Sequence, residues 1–300
     1  MNKALTILIP VFNELFFTKQ CLNNLKEALL FYKSEIKDTF DIKIILIDDG
    51  STDGTSHWVS ENYPEVKILK GDGSLFWSAA INMGIEYALK IPNISHVLFW
   101  NKDLYIEKDY LIQLHEHILK VDENVILASK LMRKNEPDTL FSFGGTYDPK
   151  TDKKINIGSG KKDGKEFSER KQVDWCGGMA VVMPKEVFVI IGLCDSKNFP
   201  QYDGDCDFFL RAKKANFNLH IIPNLKAWNI HENTGRKEGY NFKNYLWYLN
   251  DVRSFINVKI SYKFLKKHSS GYLPFVYFTL RYTKFTFNYI RKGVISMFKV

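Results

Sequence analysis

Residues 42–55 read Ile42-Lys43-Ile44-Ile45-Leu46-Ile47-Asp48-Asp49-Gly50-Ser51-Thr52-Asp53-Gly54-Thr55. A β-branched run stops at two acids and a glycine, and Ser51 or Asp53 then stands where a helix N-cap belongs, ahead of His57 and Val59. The stretch predicts a strand, a polar turn and a helix. The same order recurs on both sides. Residues 5–9 form an apolar run ended by Pro10, and residues 17–33 follow with Cys21, Leu22, Leu25, Ala28 and Leu29 at helical spacing. Downstream, a strand over 66–69 leads to a glycine-rich loop at 71–74, a helix near 79–90 and a buried-type strand over 96–100. Strands alternating with helices imply parallel βαβ units, whose ligands bind outside the carboxyl ends of the strands. Polar clusters fall at those ends: Glu14, then Asp48 with Asp49, then Asp72, then Asn101 with Asp103.

Beyond a strand at 125–128 the pattern loosens, and the Lys-, Gly- and Asp-rich stretch 150–170 reads as a mobile loop or hairpin. Order returns over 175–183. Pro184 suits the first turn of a helix ending near Ile191, a second helix is expected over 205–215, and a strand over 220–222 precedes Pro223. With 300 residues, 45% of them apolar, the chain is long and apolar enough to bury a large core as a soluble globular protein. Cys21, Cys176, Cys194 and Cys206 have neither zinc-site spacing nor the density of a disulfide scaffold, so a reducing cytosol is the expected setting. Pro10, Asn13 and Glu14 interrupt the N-terminal apolar run, which reads as a first strand rather than a leader. No stretch reaches the roughly 18 to 20 continuous apolar residues needed to cross a bilayer.

Four places carry chemistry. If the strand ending at Trp100 stays extended, Asn101 and Asp103 share one side while Lys102 points away. A lone carboxylate there suits Mg²⁺, which keeps water and substrate phosphates in its shell; it equally suits a turn cap. Asp48 and Asp49 can accept from a base imide or a ribose hydroxyl, whereas a turn and N-cap explain only residues 51–55. Tyr202-Asp203-Gly204-Asp205-Cys206-Asp207 opens a helix with more acids than capping needs, and one of them is free to take a proton from an attacking hydroxyl. His231, in Trp228-Asn229-Ile230-His231-Glu232, is a metal-ligand candidate or an ordinary surface histidine.

Together with Trp175-Cys176-Gly177-Gly178, these features resemble the inverting family 2 glycosyltransferases of GT-A fold over roughly residues 4–235. The most specific segments are Ile9-Pro10-Val11-Phe12-Asn13-Glu14, residues 47–55, and residues 202–211 with their Asp-x-Asp-Phe-Phe-Leu-Arg-Ala ending. Gly71-Asp72-Gly73-Ser74-Leu75-Phe76-Trp77 with Asn82-Met83-Gly84 is similar to the donor loop of rhamnosyltransferase-like members. The resemblance implies an α/β, Rossmann-like, mostly parallel sheet flanked by helices over 1–235, with a helical appendage over 236–300. It implies that Pro10, Phe12, Glu14, Asp48, Asp49, Asn82, Asn101 and Asp103 surround a UDP- or dTDP-linked sugar. Mg²⁺ or Mn²⁺ would sit at Asp103 and His231, Asp205 would be the base, and Trp175, Gly177 and Gly178 would line the acceptor side. Lys102 departs from the family, whose relatives often carry a second carboxylate in this motif.

The formal charge of +8 is uneven: residues 236–300 hold 13 of the 42 Lys and Arg and two of the 34 acids, a local +11 that leaves the rest at −3. Phe275, Phe278, Tyr282, Phe285 and Tyr289 recur at three and four, flanked by Arg281, Lys284, Asn288, Arg291 and Lys292. Such a helix suits the interface of an anionic membrane, which would put the enzyme at the cytoplasmic face beside a glycan or lipid-linked acceptor. It equally suits docking on the catalytic domain or a second subunit. Other readings are a sugar-nucleotide nucleotidyltransferase, which would need an early basic Gly-rich phosphate loop that residues 10–14 lack, and a non-catalytic nucleotide or nucleic-acid binder. Nucleic-acid binding would leave the acidic strand ends unexplained.

Overall fold

The computed structural model describes residues 3–230 and 237–297. Its first half follows the predicted alternation: β1 (Ala4–Val11), α1 (Leu15–Glu35), β2 (Asp41–Asp48), α2 (Thr55–Asn62), β3 (Lys67–Lys70), α3 (Phe76–Ala88) and β4 (Ile94–Phe99). After a short β5 (Leu104–Tyr105) come α4 (Tyr110–Leu119), β6 (Val125–Arg133) and β7 (Leu140–Ser142). The 150–170 stretch contributes one arm of a hairpin, β8 (Gly145–Asp148) with β9 (Lys153–Asn156), before β10 (Lys171–Val173). Then follow β11 (Val181–Pro184), α5 (Lys185–Ile191), α6 (Gly204–Lys214), β12 (Asn218–Asn229), α7 (Phe242–Asn250), α8 (Val258–His268) and α9 (Leu273–Met297).

The main sheet runs β10-β12-β6-β11-β4-β1-β2-β3. Strands β3, β2, β1 and β4 are parallel, so their carboxyl ends open on one edge, and β1 pairs with both β2 and β4. β11 is antiparallel to both β4 and β6, which makes the sheet mixed from that point on. β12 continues straight past Pro223, beyond the three residues its sequence suggests. A register shift between Ile222 and Lys226 absorbs the proline, whose missing N–H would otherwise break the ladder with β6. Two apolar layers cover the sheet. One packs α1 through Cys21, Leu22, Leu25, Ala28 and Tyr32; the other packs α3 and α6 through Ile81, Ile85, Phe208 and Phe209.

The basic C-terminal region is built onto this body. Ile260 and Phe264 of α8 share a cluster with Phe199, Cys206 and Leu210 around α6. The aromatic stripe of α9 faces inward: Phe285 stacks on Tyr245 of α7, Phe278 meets Tyr262 of α8, and the Tyr282 hydroxyl donates to the Ile256 carbonyl at 3.0 Å. The stripe packs on α7 and α8, within the C-terminal region itself, a surface that its sequence did not suggest. Because Phe264 is only 1% exposed between α6 and α8, Phe264→Ala should cost about 3–5 kcal/mol. Calorimetry should show one transition moving down as a unit, because the two helices share one core; a separate C-terminal melt would contradict this.

Candidate functional site

Three loops form the floor at the carboxyl edge, and their own polar groups stitch them together. Asn13, at φ 52°, donates its N–H to Ser51 Oγ at 2.8 Å and accepts the Thr52 N–H on its side-chain oxygen at 2.7 Å. Asp53 accepts the Leu15 N–H at 2.8 Å and the Thr55 N–H at 3.1 Å, so one carboxylate caps both α1 and α2. Asp48 is buried; it accepts the Ser51 N–H at 2.8 Å and the Ser56 hydroxyl. Asp49, also buried, takes the N–H groups of Gly73, Leu75 and Phe76 at 2.9 to 3.2 Å, where α3 begins. The adjacent acids that no local turn explained therefore both have backbone partners within the fold. A Cβ on Gly50, itself at φ +78°, would lie 2.9 Å from the Gly73 nitrogen, and one on Gly71 would lie 2.6 Å from Asp49 Oδ1. Glycine lets these loops meet. Phe12 lies half-exposed above Gly73, and Pro10 pairs with Ile47 beneath it.

The segment after β4 turns at residues 102 and 103 instead of staying extended. The alternation argument therefore fails, and Lys102 does not point away: its Nζ reaches Glu14 at 3.5 Å and lies 6.0 Å from the Phe17 ring. Asn101 and Asp103 each keep one buried side-chain oxygen, Oδ1, with no hydrogen-bond partner among the described residues. Buried oxygens left in that state cost free energy unless a ligand or ion completes them. The Ile230 N–H donates to the Asp103 carbonyl at 3.2 Å, bringing the end of β12 to this turn. His231 follows directly but lies outside the described residues. Among those residues no three His, Cys, Asp or Glu side chains converge as a metal cage. An amide oxygen and a single carboxylate suit an ion whose shell is completed by phosphate and water.

Asp205 lies in the first turn of α6. The three acids there have different surroundings. Asp203, at φ 64°, pairs with Lys154 of β9. Asp207 is fully buried and receives Arg211 Nε at 2.9 Å, Lys267 Nζ at 2.7 Å and His268 Nε2 at 2.8 Å. Burial alone would raise its pKa, yet the hydrogen bonds from His268 and Lys267 and the Arg211 charge bring it down to about 2. Asp205 instead receives backbone N–H groups, from Cys206 at 2.7 Å and Gly178 at 3.2 Å. Burial pushes its pKa up, and the Asp203 charge adds to that against the lowering by the Cys206 N–H.

Close packing fixes Asp205. A Cβ on Gly204 would strike the Ser78 hydroxyl and approach the Phe199 carbonyl at 2.9 Å; one on Gly178 would strike the Trp77 ring. The Ser78 N–H donates to the Pro200 carbonyl at 2.9 Å, so the start of α3, fed by the glycine-rich loop, touches the start of α6. Trp77 thus stands between the donor-loop helix and the Gly177-Gly178 segment. It was visible in the sequence only as part of a motif. Trp175 is tied into the fold, its indole N–H donating to the Thr146 carbonyl at 3.1 Å and its ring packed on Gly145. The Asn82 amide both donates to and accepts from the Cys194 backbone, at 2.8 and 2.9 Å. That exchange clamps residue 194 to α3.

A sheet parallel through its first four paired strands, with acids at their carboxyl ends and antiparallel strands beyond them, has the GT-A fold, as its superposition on solved GT-A structures shows. Residues 6–176 match the family described as Glycosyl transferase family 2, and the chain belongs to that family. It is 25% identical over 213 residues to the low-salt glycan biosynthesis hexosyltransferase Agl10 of Haloferax volcanii, covering 66% of this chain and 64% of that relative. It is 22% identical over 237 residues to glycosyltransferase GlyG of Streptococcus pneumoniae, covering 74% of this chain and 71% of GlyG. The mannosyltransferase PcManGT of Pyrobaculum calidifontis, solved with GDP-Man and Mn²⁺, superposes with a TM-score of 0.57 at 14% identity, covering 93% of this chain and 69% of that one. The chain spans less than two thirds of the length of Agl10.

Gly178→Ala should lower kcat/KM for nucleotide release roughly 100-fold, since its methyl must displace Trp77 and with it the Asp205 contact. Adding Trp77→Leu should restore part of the loss. Full activity in Gly178→Ala would show that this packing does not hold the site.

Proposed function

We propose that the chain is an inverting, metal-assisted transferase moving a sugar from a UDP- or dTDP-linked donor to a hydroxyl of a glycan or lipid-linked acceptor in surface-polysaccharide or glycan synthesis. The observation that carries this reading is Asp205. Of three acids at one helix start, Asp203 is paired with Lys154 and Asp207 with Arg211 and Lys267, while the hydrogen bonds to Asp205 come from backbone N–H groups of Cys206 and Gly178. A carboxylate left uncompensated and desolvated is the group among them able to accept a proton.

Asp205 deprotonates the acceptor hydroxyl as that oxygen attacks the anomeric carbon, and the nucleoside diphosphate leaves from the opposite face, which inverts the centre. Gly177 borders Asp205 on the acceptor side, Gly178 admits the Trp77 ring beside it, and Trp175 supports this wall. Phe12 offers an apolar face to the nucleobase, with Pro10 and Glu14 around it. Asp48 and Asp49 act chiefly by holding the loops, and Asn82 by holding α3 against residue 194. The orphaned oxygens of Asn101 and Asp103 suit a Mg²⁺ or Mn²⁺ ion, with His231 as a further ligand. When bound, such an ion would supply positive charge to the departing diphosphate. Lys102 replaces an acid beside it, so metal should bind weakly without the diphosphate. Support for metal and nucleotide sugar comes from PcManGT with GDP-Man and Mn²⁺.

Asp205→Asn should reduce transfer by roughly 10²- to 10⁴-fold while donor binding by calorimetry persists. The base must be ionised to work, so activity falls as pH drops through its pKa. In the wild type that acid limb should lie above the ordinary aspartate value of 3.8, because burial raises it. The limb should vanish in the variant; an unchanged pH profile would exclude Asp205 as base. Chelation should abolish transfer, and Mn²⁺ titration followed by electron paramagnetic resonance should show tight binding only with UDP or dTDP present. Transfer undiminished by chelation would overturn the metal role.

A further inference from the structure

Helix α9 has two apolar faces, and the fold uses one. The inward face carries Phe278, Tyr282, Phe285 and Tyr289 against α7 and α8. On the opposite side Leu273, Val276, Leu280, Phe287, Ile290 and Val294 recur at three and four, with Leu280 58%, Phe287 68% and Ile290 59% exposed. A helix docked on one side ordinarily turns a polar face to water. Lys284 and Arg291 share this outward row, one helical repeat below Leu280 and Phe287 respectively. The sequence contains no Asp or Glu after Asp251, so these cations have no acidic neighbours along α8 or α9.

We propose that this outward row, rather than the aromatic stripe, rests on an anionic lipid bilayer. Its charge says so: the row carries Lys284 and Arg291 and no carboxylate, so a second copy of the same row would bring four cations to one apolar seam with no counter-charge from either row. Anionic headgroups supply the missing charge, and Lys and Arg stems reach past an apolar row to meet them. The row is one helix wide and about 32 Å long, a shape that lies along a flat surface. No helix among the described residues is long and apolar enough to cross a membrane, so contact is in the interface plane. Exposed Lys259, Lys263 and Lys266 on α8 add to the field. α9 packs on α8 and α8 on α6, which carries Asp205. If the transfer reading holds, the bilayer also presents a lipid-linked acceptor two helix layers from the base.

The full chain, without donor or acceptor, is sedimented with vesicles of phosphatidylcholine alone or mixed with phosphatidylglycerol. Wild type should bind the mixed vesicles at low salt and release at high salt. Leu280→Asp with Phe287→Asp should reduce partitioning roughly tenfold or more, and so should Lys284→Glu with Arg291→Glu. The control Lys33→Glu with Lys37→Glu makes the same charge change on exposed residues of α1 and its flank, and should bind as wild type. All six side chains are exposed, so melting curves should coincide with wild type. Failure to bind mixed vesicles, outward variants that bind normally, or an equal loss in the control would overturn the proposal. Light scattering that shows a dimer dissolved by the outward variants would name a second copy as occupant and overturn it too. None of these readouts depends on sugar transfer, so a failed lipid contact leaves that reading standing.

Discussion

One buried carboxylate holds the helix that carries Asp205 in place. Asp207 is removed from water and compensated by Arg211 from its own helix and by Lys267 and His268 from α8. A buried charge is tolerable only when paired, and loss of one partner leaves the others stranded at a cost of about 3–5 kcal/mol. The pairing therefore fixes α6 against α8, with Phe199, Cys206, Leu210 and Phe264 filling the space between. Asp205, two residues before Asp207, inherits that position. The basic C-terminal region is in this sense part of the site, although residues 6–176 carry the family match.

The donor side is organised on a different principle. Its loops are anchored by carboxylates that accept backbone N–H groups at helix starts, where the dipole favours them. Asp53 does this for α1 and α2, and Asp49 for α3. The result is a preorganised floor whose structural acids are satisfied, next to the turn at Asn101 and Asp103 whose oxygens are not. Unmet polarity is concentrated at the turn proposed to meet a diphosphate and ion.

Much of the fold could be read along the chain because hydrophobic periodicity is local. The alternation through β4, the helix at 204–214 and the aromatic stripe of α9 all follow from residues within one or two turns of each other. The insertion of antiparallel β11 between β4 and β6, and the passage of β12 through Pro223, depend on neighbours far away in sequence and left no local mark. Strand-end acids were equally visible, but their duties were not. Asp49 meets Phe76 across 27 residues, Asp203 meets Lys154 across 49, and Asp207 meets His268 across 61. Lys102 reaches Glu14 because the backbone turns at residues 102 and 103 instead of staying extended.

The amino-acid sequence by itself determined a parallel βα sheet with acids at its open edge, a helix with an excess of acids at its start, and a cationic tail with amphipathic periodicity. Those properties reside in spacing and composition, which survive without tertiary contacts. Only the tertiary structure decided which acid stays uncompensated and which face of α9 remains in solvent. Both are differences between chemically similar groups. They are resolved by where cations and aromatic rings from distant segments come to rest: Lys154 and Lys267 set Asp205 apart by pairing with its neighbours, and Tyr245 with Tyr262 cover one side of α9 and leave the other open.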